Sequence, residues 1–208
     1  MRIMGSYATR SGGSTSTNKY QYYTEGTAGN YQKQADDVIN GVKSVLSDFG
    51  MESEFKGVYF DEKGTGRANA GMNGFGKLTI SKSYLSNGEK NSNGYFVSDT
   101  FAGTGAHEAG HLVSYALLKR KVMPNASLLE QSTARQKNKL EKSVLKEAKK
   151  RFGSNPPISK YGSTNASEKI AEAISDVYTN KSKANPYSKE IVSVMKDINS
   201  GKFIPKIR

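Results

Sequence analysis

Three things that the sequence lacks narrow the range of functions before any motif is considered. The chain of 208 residues contains no cysteine, which excludes disulfides, cysteine-ligated zinc and a thiol nucleophile. It contains no apolar run approaching the roughly 20 residues of a membrane-spanning helix. The N-terminal segment also lacks the apolar stretch of a secretory signal. We therefore expect a protein without an export signal of its own and without a membrane-spanning segment.

The formal net charge of +12 is unevenly distributed along the chain. Between Lys119 and Arg151 there are eight Lys and three Arg against three Glu. Such a stretch, 119–151, could attract nucleic acid or another polyanion. The alternative, a solvated helix face with charges paired one turn apart, is favoured. The sequence therefore predicts polyanion binding as an accessory property at most.

The two histidines of the chain both belong to one motif, His107-Glu108-Ala109-Gly110-His111, which fits H-E-x-x-H. On an α-helix this spacing places both imidazoles on one face, where they can bind a single metal ion. Glu108 lies about 100° around the helix, within reach of a metal-bound water but away from the ligand positions. Zinc favours such nitrogen ligands, and a catalytic zinc needs a third protein ligand and an open position. The motif thus predicts a Zn²⁺ site, and the alternative is two surface histidines on a helix.

The third ligand must be a carboxylate or come from another chain, because no further histidine exists. Three acidic residues spaced one helical turn apart are candidates: Glu168, Glu172 and Asp176. Glu168 could instead close a capping box with Asn165, three residues earlier. Glu172 could be the carboxylate that holds a metal-binding histidine in place. The spacing alone leaves these alternatives open.

The hydrophobic pattern predicts an α+β fold. Helices are expected at 31–49, from about 100 to 118, at 127–151, at 165–178 and at 188–198, with a strand at 54–60. Residues 1–28 are rich in Ser, Thr, Gly and Asn without a period, which is typical of a flexible or extended arm. The folded domain is expected at 29–208. Its first part, 29–121, would supply the sheet and the active-site helix, and 122–208 a helical part with the third ligand.

The pair Asn73-Gly74 predicts a hairpin between 67–72 and 77–81. The side chains of its first arm have little apolar surface to bury: Ala68, Asn69, Ala70, Gly71 and Met72. This arm would suit a sheet edge, where free N–H and C=O groups could pair with an extended peptide substrate. An ordinary exposed hairpin explains the same residues equally well.

A second stretch carries a resemblance to a known family. Residues 161–173 read Tyr-Gly-Ser-Thr-Asn-Ala-Ser-Glu-Lys-Ile-Ala-Glu-Ala and follow the H-E-x-G-H motif. Together the two stretches resemble the catalytic domain of anthrax lethal factor and the metallopeptidase-like domains of phage minor head proteins. These are gluzincins, zinc peptidases of the zincin fold whose third ligand is a glutamate.

The resemblance implies a role for each matching position. The zinc ligands would be His107, His111 and Glu168. Glu108 would act as the general base, and Tyr161 would assist catalysis. The carboxylate that supports a ligand histidine would be Glu172.

The motif and the resemblance together predict a zinc-dependent endopeptidase of zincin-like α+β architecture, acting on a protein or peptide. The chain would be cytoplasmic or virion-associated and encoded by a phage or a mobile element. The alternative is a structural component of a phage particle that keeps the zinc-binding fold without significant turnover. The presence of Glu108 and Tyr161 favours the enzyme, since a protein that has lost catalytic activity needs neither residue.

Overall fold

The computed structural model describes residues 21–22, 28–61, 70–87, 93–127, 131 and 133–207. The fold class is α+β, as the sequence predicted. The strands are β1 (Gln21–Tyr22), β2 (Gly57–Asp61), β3 (Ala70–Met72) and β4 (Lys77–Ser81). The helices are α1 (Gln32–Phe49), α2 (Lys82–Asn87), α3 (Phe101–Leu117), α4 (Ala134–Phe152), α5 (Ala166–Asn180) and α6 (Pro186–Ser200). Within the described ranges, no helix is long and apolar enough to span a membrane.

The small sheet has the strand order β1-β2-β4-β3 and leaves β3 at one edge. Strands β2 and β4 are parallel, with Phe60 opposite Ile80, and both side chains are buried. Strand β3 runs antiparallel to β4, which confirms the hairpin predicted at Asn73-Gly74. The Asn73 side-chain oxygen accepts hydrogen bonds from the backbone N–H groups of Phe75 and Lys77, and so closes the turn.

Helices α1 and α3 pack at backbone contact, and this contact positions the H-E-x-x-H helix. A Cβ at Gly41 would overlap the carbonyl oxygen of Ala102, and one at Gly105 would overlap that of Val38. Only glycine allows this approach, because any larger residue would push the helices apart. The hydroxyl of Thr100 accepts a hydrogen bond from the N–H of Gly103 and caps the start of α3.

Three predicted elements differ in extent from the structure. The strand expected at 54–60 is a short 3₁₀ turn, Glu52–Glu54, followed by β2 at Gly57–Asp61. The basic helix expected at 127–151 begins at Ala134, where Thr133 supplies the cap by accepting from the N–H of Gln136. Helix α6 is longer than the expected 188–198, because Asn185 caps it and Pro186 fits its first turn.

The expected N-terminal arm, 1–28, lies mostly outside the described residues. Two of its residues, Gln21 and Tyr22, form β1 and pair with Phe60 and Tyr59 of β2. Ala28, at its end, is buried against the core. The described part of the arm is therefore attached to the sheet.

Candidate metal centre

The two motif histidines lie on one face of α3, and their ring centroids are 5.1 Å apart. His107 is buried and His111 half-buried. This is the arrangement expected for H-E-x-x-H on a helix, since residues four apart share a face. The two imidazoles are close enough for one ion to contact both.

Helix α5 brings a carboxylate to these rings because it packs directly on α3. A Cβ at Gly110 would lie 3.0 Å from the Cα of Ala171, so the glycine of the motif is what allows the close approach. The Glu168 Oε2 lies 3.0 Å from His107 Nε2 and 3.6 Å from His111 Nε2. Ligand atoms of these three residues all lie within 4.8 Å of one another. The structure thus places the proposed ligand set around one point.

The donor set and its dimensions fit zinc. Two imidazole nitrogens and one carboxylate oxygen, with one position left open, are a typical catalytic zinc set. Bonds of about 2.0–2.2 Å in tetrahedral geometry separate neighbouring ligand atoms by about 3.4 Å. The two separations between Glu168 and the histidines, 3.0 and 3.6 Å, bracket this value. A zinc-sized ion could be held with small side-chain adjustments.

Asn165 caps α5 without occupying the Glu168 side chain. Its side-chain oxygen accepts a hydrogen bond from the backbone N–H of Glu168, while the Glu168 carboxylate turns to the histidines. The third carboxylate considered from the sequence, Asp176, is away from the cluster. It accepts from the Asn180 side chain and the backbone N–H of Asn185, and so holds the turn between α5 and α6.

Glu172 fixes the orientation of His107 from the opposite side. This buried carboxylate has Oε1 2.8 Å from His107 Nδ1, and its Oε2 accepts from the backbone N–H of Val97 at 2.7 Å. A carboxylate can only accept, so both ring nitrogens of His107 donate: Nδ1–H to Glu172 and Nε2–H to Glu168. A bound metal ion would take the place of the Nε2 proton and leave the hydrogen bond to Glu172 intact. Ligand histidines are usually held this way.

His111 has a different partner, which the sequence did not reveal. Its Nδ1 lies 3.1 Å from the hydroxyl of Ser167, which accepts from the Lys137 ammonium at 2.5 Å. Lys137 forms an ion pair with Glu141, 2.5 Å away, and both side chains are buried. The expected solvated stretch 119–151 therefore contains a buried ion pair that reaches the candidate metal centre through Ser167. The sequence did contain a signal for this burial, because the helical spacing puts Lys137 and Glu141 on the face of α4 that buries Val144.

Glu108 lies between the cluster and the edge strand. Its Oε2 accepts a hydrogen bond of 2.8 Å from the backbone N–H of Met72 in β3. In an antiparallel ladder, an N–H that does not face the partner strand points outward. The edge of β3 that does not pair with β4 therefore faces the H-E-x-x-H helix. Of the five residues expected to bind substrate, Ala70, Gly71 and Met72 form β3, and 68 and 69 lie outside the described residues.

Tyr161 stands beside His107, with the two ring centroids 5.7 Å apart. Its backbone N–H donates to the carbonyl of Tyr95, and its ring contacts that of Phe96 at 5.0 Å. Burial, together with the nearby charge of Glu168, raises the pKa of Tyr161 to about 12. The phenol therefore keeps its proton at neutral pH and can donate a hydrogen bond.

The electrostatics of the cluster favour a cation. Burial alone would lower the pKa of His107, but hydrogen bonds to Glu168 and Glu172 outweigh it and raise the pKa to about 10. Burial would likewise raise the pKa of Glu168. Its hydrogen bonds to His107 and His111 outweigh that effect and hold the pKa of this carboxyl well below its usual range. The two carboxylates thus stabilise a positive charge at His107, and a bound metal ion would supply that charge in place of the Nε2 proton.

Comparisons with protein-family models, with curated proteins and with solved structures found no match to this chain.

Proposed function

We propose that the chain is a zinc-dependent endopeptidase of zincin-like architecture, with His107, His111 and Glu168 as the metal ligands. One observation carries the proposal: three ligand atoms of the zinc type converge within 4.8 Å, next to a glutamate at the base position of the motif. Bound zinc would supply a water of lowered pKa and polarise the scissile carbonyl. The resemblance to gluzincins, stated above on Tyr161 and Glu168, points to the same chemistry.

Each protein group has a defined task in this proposal. The outer edge of β3 pairs with an extended peptide through groups other than the Met72 N–H, and this pairing brings a carbonyl beside the cluster. Glu108 takes the proton of the attacking water and passes it to the leaving amine. Its hydrogen bond to Met72 N–H holds its carboxylate next to the bound peptide. Tyr161 donates to the oxyanion that forms, a contact commonly worth about 3 kcal/mol of barrier.

Glu172 and Ser167 orient the two ligand histidines. Glu172 acts on His107, and Ser167, held by Lys137, acts on His111. Such supporting bonds typically change metal affinity by roughly 10–100-fold. We place these residues outside the reacting atoms and expect their loss to be seen first in metal binding.

The second candidate function is a structural component, for example of a phage particle, that keeps a zinc-binding fold without turnover. It needs the three ligands but neither Glu108 nor Tyr161. The placement of Glu108 against the edge strand and of a protonated Tyr161 against His107 favours the enzyme.

A peptide-library digestion with Glu108→Gln as the test variant separates the two candidates. Wild-type protein should cleave in the presence of zinc and stop with chelator. Glu108→Gln should keep zinc and fold and lose at least about 100-fold in rate, because only the base is removed. Glu147→Gln, an acid on the far side of α4 paired with Arg151, is the matched control and should cleave normally. Zinc binding without cleavage of any peptide would favour the structural component.

A further inference from the structure

The net positive charge of this protein is carried by its C-terminal part, residues 118–208. Residues 1–117 contain 11 Lys and Arg and 11 Asp and Glu. Residues 118–208 contain 20 Lys and Arg against 8 Asp and Glu, so this part carries the entire net charge of +12. Such asymmetry between two parts of one chain is a feature of proteins that meet a polyanion.

Some of the cations in this part form ion pairs with acids of the protein itself. Lys119 and Arg120 pair with Glu54 across the fold, and Lys196 pairs with Asp48. Arg151 pairs with several acids at the end of α4, Lys150 lies 4.0 Å from Glu147, and Lys137 is buried against Glu141. These ion pairs reduce the positive charge that the paired cations offer to a partner.

Five cations of α4 remain on its outer face, and we call them the α4 stripe: Arg135, Lys139, Lys142, Lys146 and Lys149. They follow one another at intervals of three or four residues, and therefore occupy an arc of about 80° along about 21 Å of helix. Lys139 is half-buried, and the other four are exposed. Among the residues that the structure describes, no ion pair joins any of the five to an acid. The two acids of α4, Glu141 and Glu147, lie on other sides of the helix.

We propose that the α4 stripe binds the phosphate backbone of nucleic acid, without sequence specificity and without help from the metal centre. A straight row of cations with no intervening acid complements a row of phosphates. Four of the five are lysines, which act as point charges on phosphates, and the stripe presents no aromatic ring to stack on bases.

An anionic membrane is a weaker match to the same face. A helix that lies in a membrane interface needs a free apolar side. The apolar side of α4 is buried, with Leu140, Val144 and Ala148 inside the core. Binding of this face to a membrane would therefore depend on charge alone.

The test is the salt dependence of binding of the full chain to a fluorescently labelled 20-base-pair DNA duplex, measured by anisotropy. Five phosphate contacts predict a slope of about −4.5 for log K against log salt. The variant Lys139→Gln/Lys142→Gln/Lys146→Gln/Lys149→Gln leaves one cation of the stripe, so its slope should fall to about −1. The matched control neutralises four exposed lysines elsewhere in the same part, Lys181, Lys183, Lys202 and Lys206, and should keep the wild-type slope.

Equal loss of slope in both variants would overturn the proposal, because net charge alone would then explain binding. So would tighter binding to vesicles rich in phosphatidylserine than to the duplex at the same salt concentration. Wild-type binding should be the same with zinc and with chelator. The result is thus independent of whether the chain cleaves peptides.

Discussion

Replacing Lys137 by methionine tests the least expected feature of the structure, a buried ion pair that reaches His111, one of the proposed zinc ligands, through Ser167. The Lys137 side chain is 8% exposed and that of Glu141 is 2% exposed, and their charged atoms lie 2.5 Å apart. Methionine retains most of the aliphatic length of lysine and removes its charge. The variant leaves the Glu141 carboxylate buried without its counter-ion.

The expected cost follows from this burial. Breaking a buried ion pair by removing one partner typically costs about 3–5 kcal/mol, because the remaining charge is uncompensated. Removing both charges, in Lys137→Met/Glu141→Leu, should restore most of that loss, since a well-packed apolar pair is often neutral in comparison. Lys139→Met, the same substitution on the outer face of α4, should change stability by no more than about 0.5 kcal/mol.

The assay is urea unfolding of the four proteins in chelator, followed by zinc titration of those that fold. Lys137→Met should lose about 3–5 kcal/mol of unfolding free energy. The double variant should fold, yet bind zinc roughly 10-fold more weakly, because Ser167 no longer has its lysine partner beside His111. If Lys137→Met matches Lys139→Met in stability, Lys137 lies on a solvated face and the reasoning is wrong.

Three further outcomes are expected. Tyr161→Phe should keep zinc affinity and slow peptide cleavage by about 100-fold, as measured by kcat with zinc content on the same sample. Gly105→Ala should destabilise the protein by about 1–3 kcal/mol in thermal melts, because its methyl group would overlap the Val38 carbonyl where α1 crosses α3. Burial would raise the pKa of Glu54, but Lys119 and Arg120 outweigh it and hold the pKa below its usual value. A carboxyl group whose pKa is lowered on folding stabilises the protein at pH values above its unfolded-state pKa, and this stabilisation is lost as the pH falls. Glu54→Gln should therefore reduce stability at pH 7 and change it little at pH 3 in urea titrations.

The local part of the site was predictable from the sequence, because it depends only on helix geometry. His107, Glu108 and His111 lie within five consecutive positions, and their spacing on a helix determines which side chains share a face. The helix itself was predicted to begin at about residue 100, and in the structure the hydroxyl of Thr100 caps it.

Sequence spacing could not decide which carboxylate would complete the three-residue ligand set. Glu168 is 61 positions from His107 along the chain, and Glu172, one turn further, was an equal candidate on periodicity alone. The tertiary contact between Gly110 and Ala171 sets the position of α5 along α3. This position determines which of the two carboxylates lies beside the Nε2 atoms of the histidines. The choice of Glu168 came from the resemblance, and the structure brings that residue to the Nε2 atoms of both histidines.

In the basic helix, composition gave the wrong environment for one residue, Lys137. Lys137 was grouped with the solvated lysines of 119–151, although it is in helical phase with Leu140, Val144 and Ala148. Any charge-neutralising test of the surface must therefore omit Lys137. The parallel pairing of β2 with β4 was not predicted either, because the chain between them contains β3 and no local signal determines the order.

The most direct test of the central claim is a competitive zinc titration that compares Glu168→Ala with Glu172→Ala, each with a thermal melt of its metal-free form. If Glu168 is the third ligand, its loss should lower zinc affinity far more than the roughly 10–100-fold expected for the supporting Glu172. A residue that only helps to cap α5 would instead cost about 1 kcal/mol of stability and leave zinc affinity unchanged. Loss of zinc in Glu172→Ala with zinc retained in Glu168→Ala would contradict the proposed ligand set.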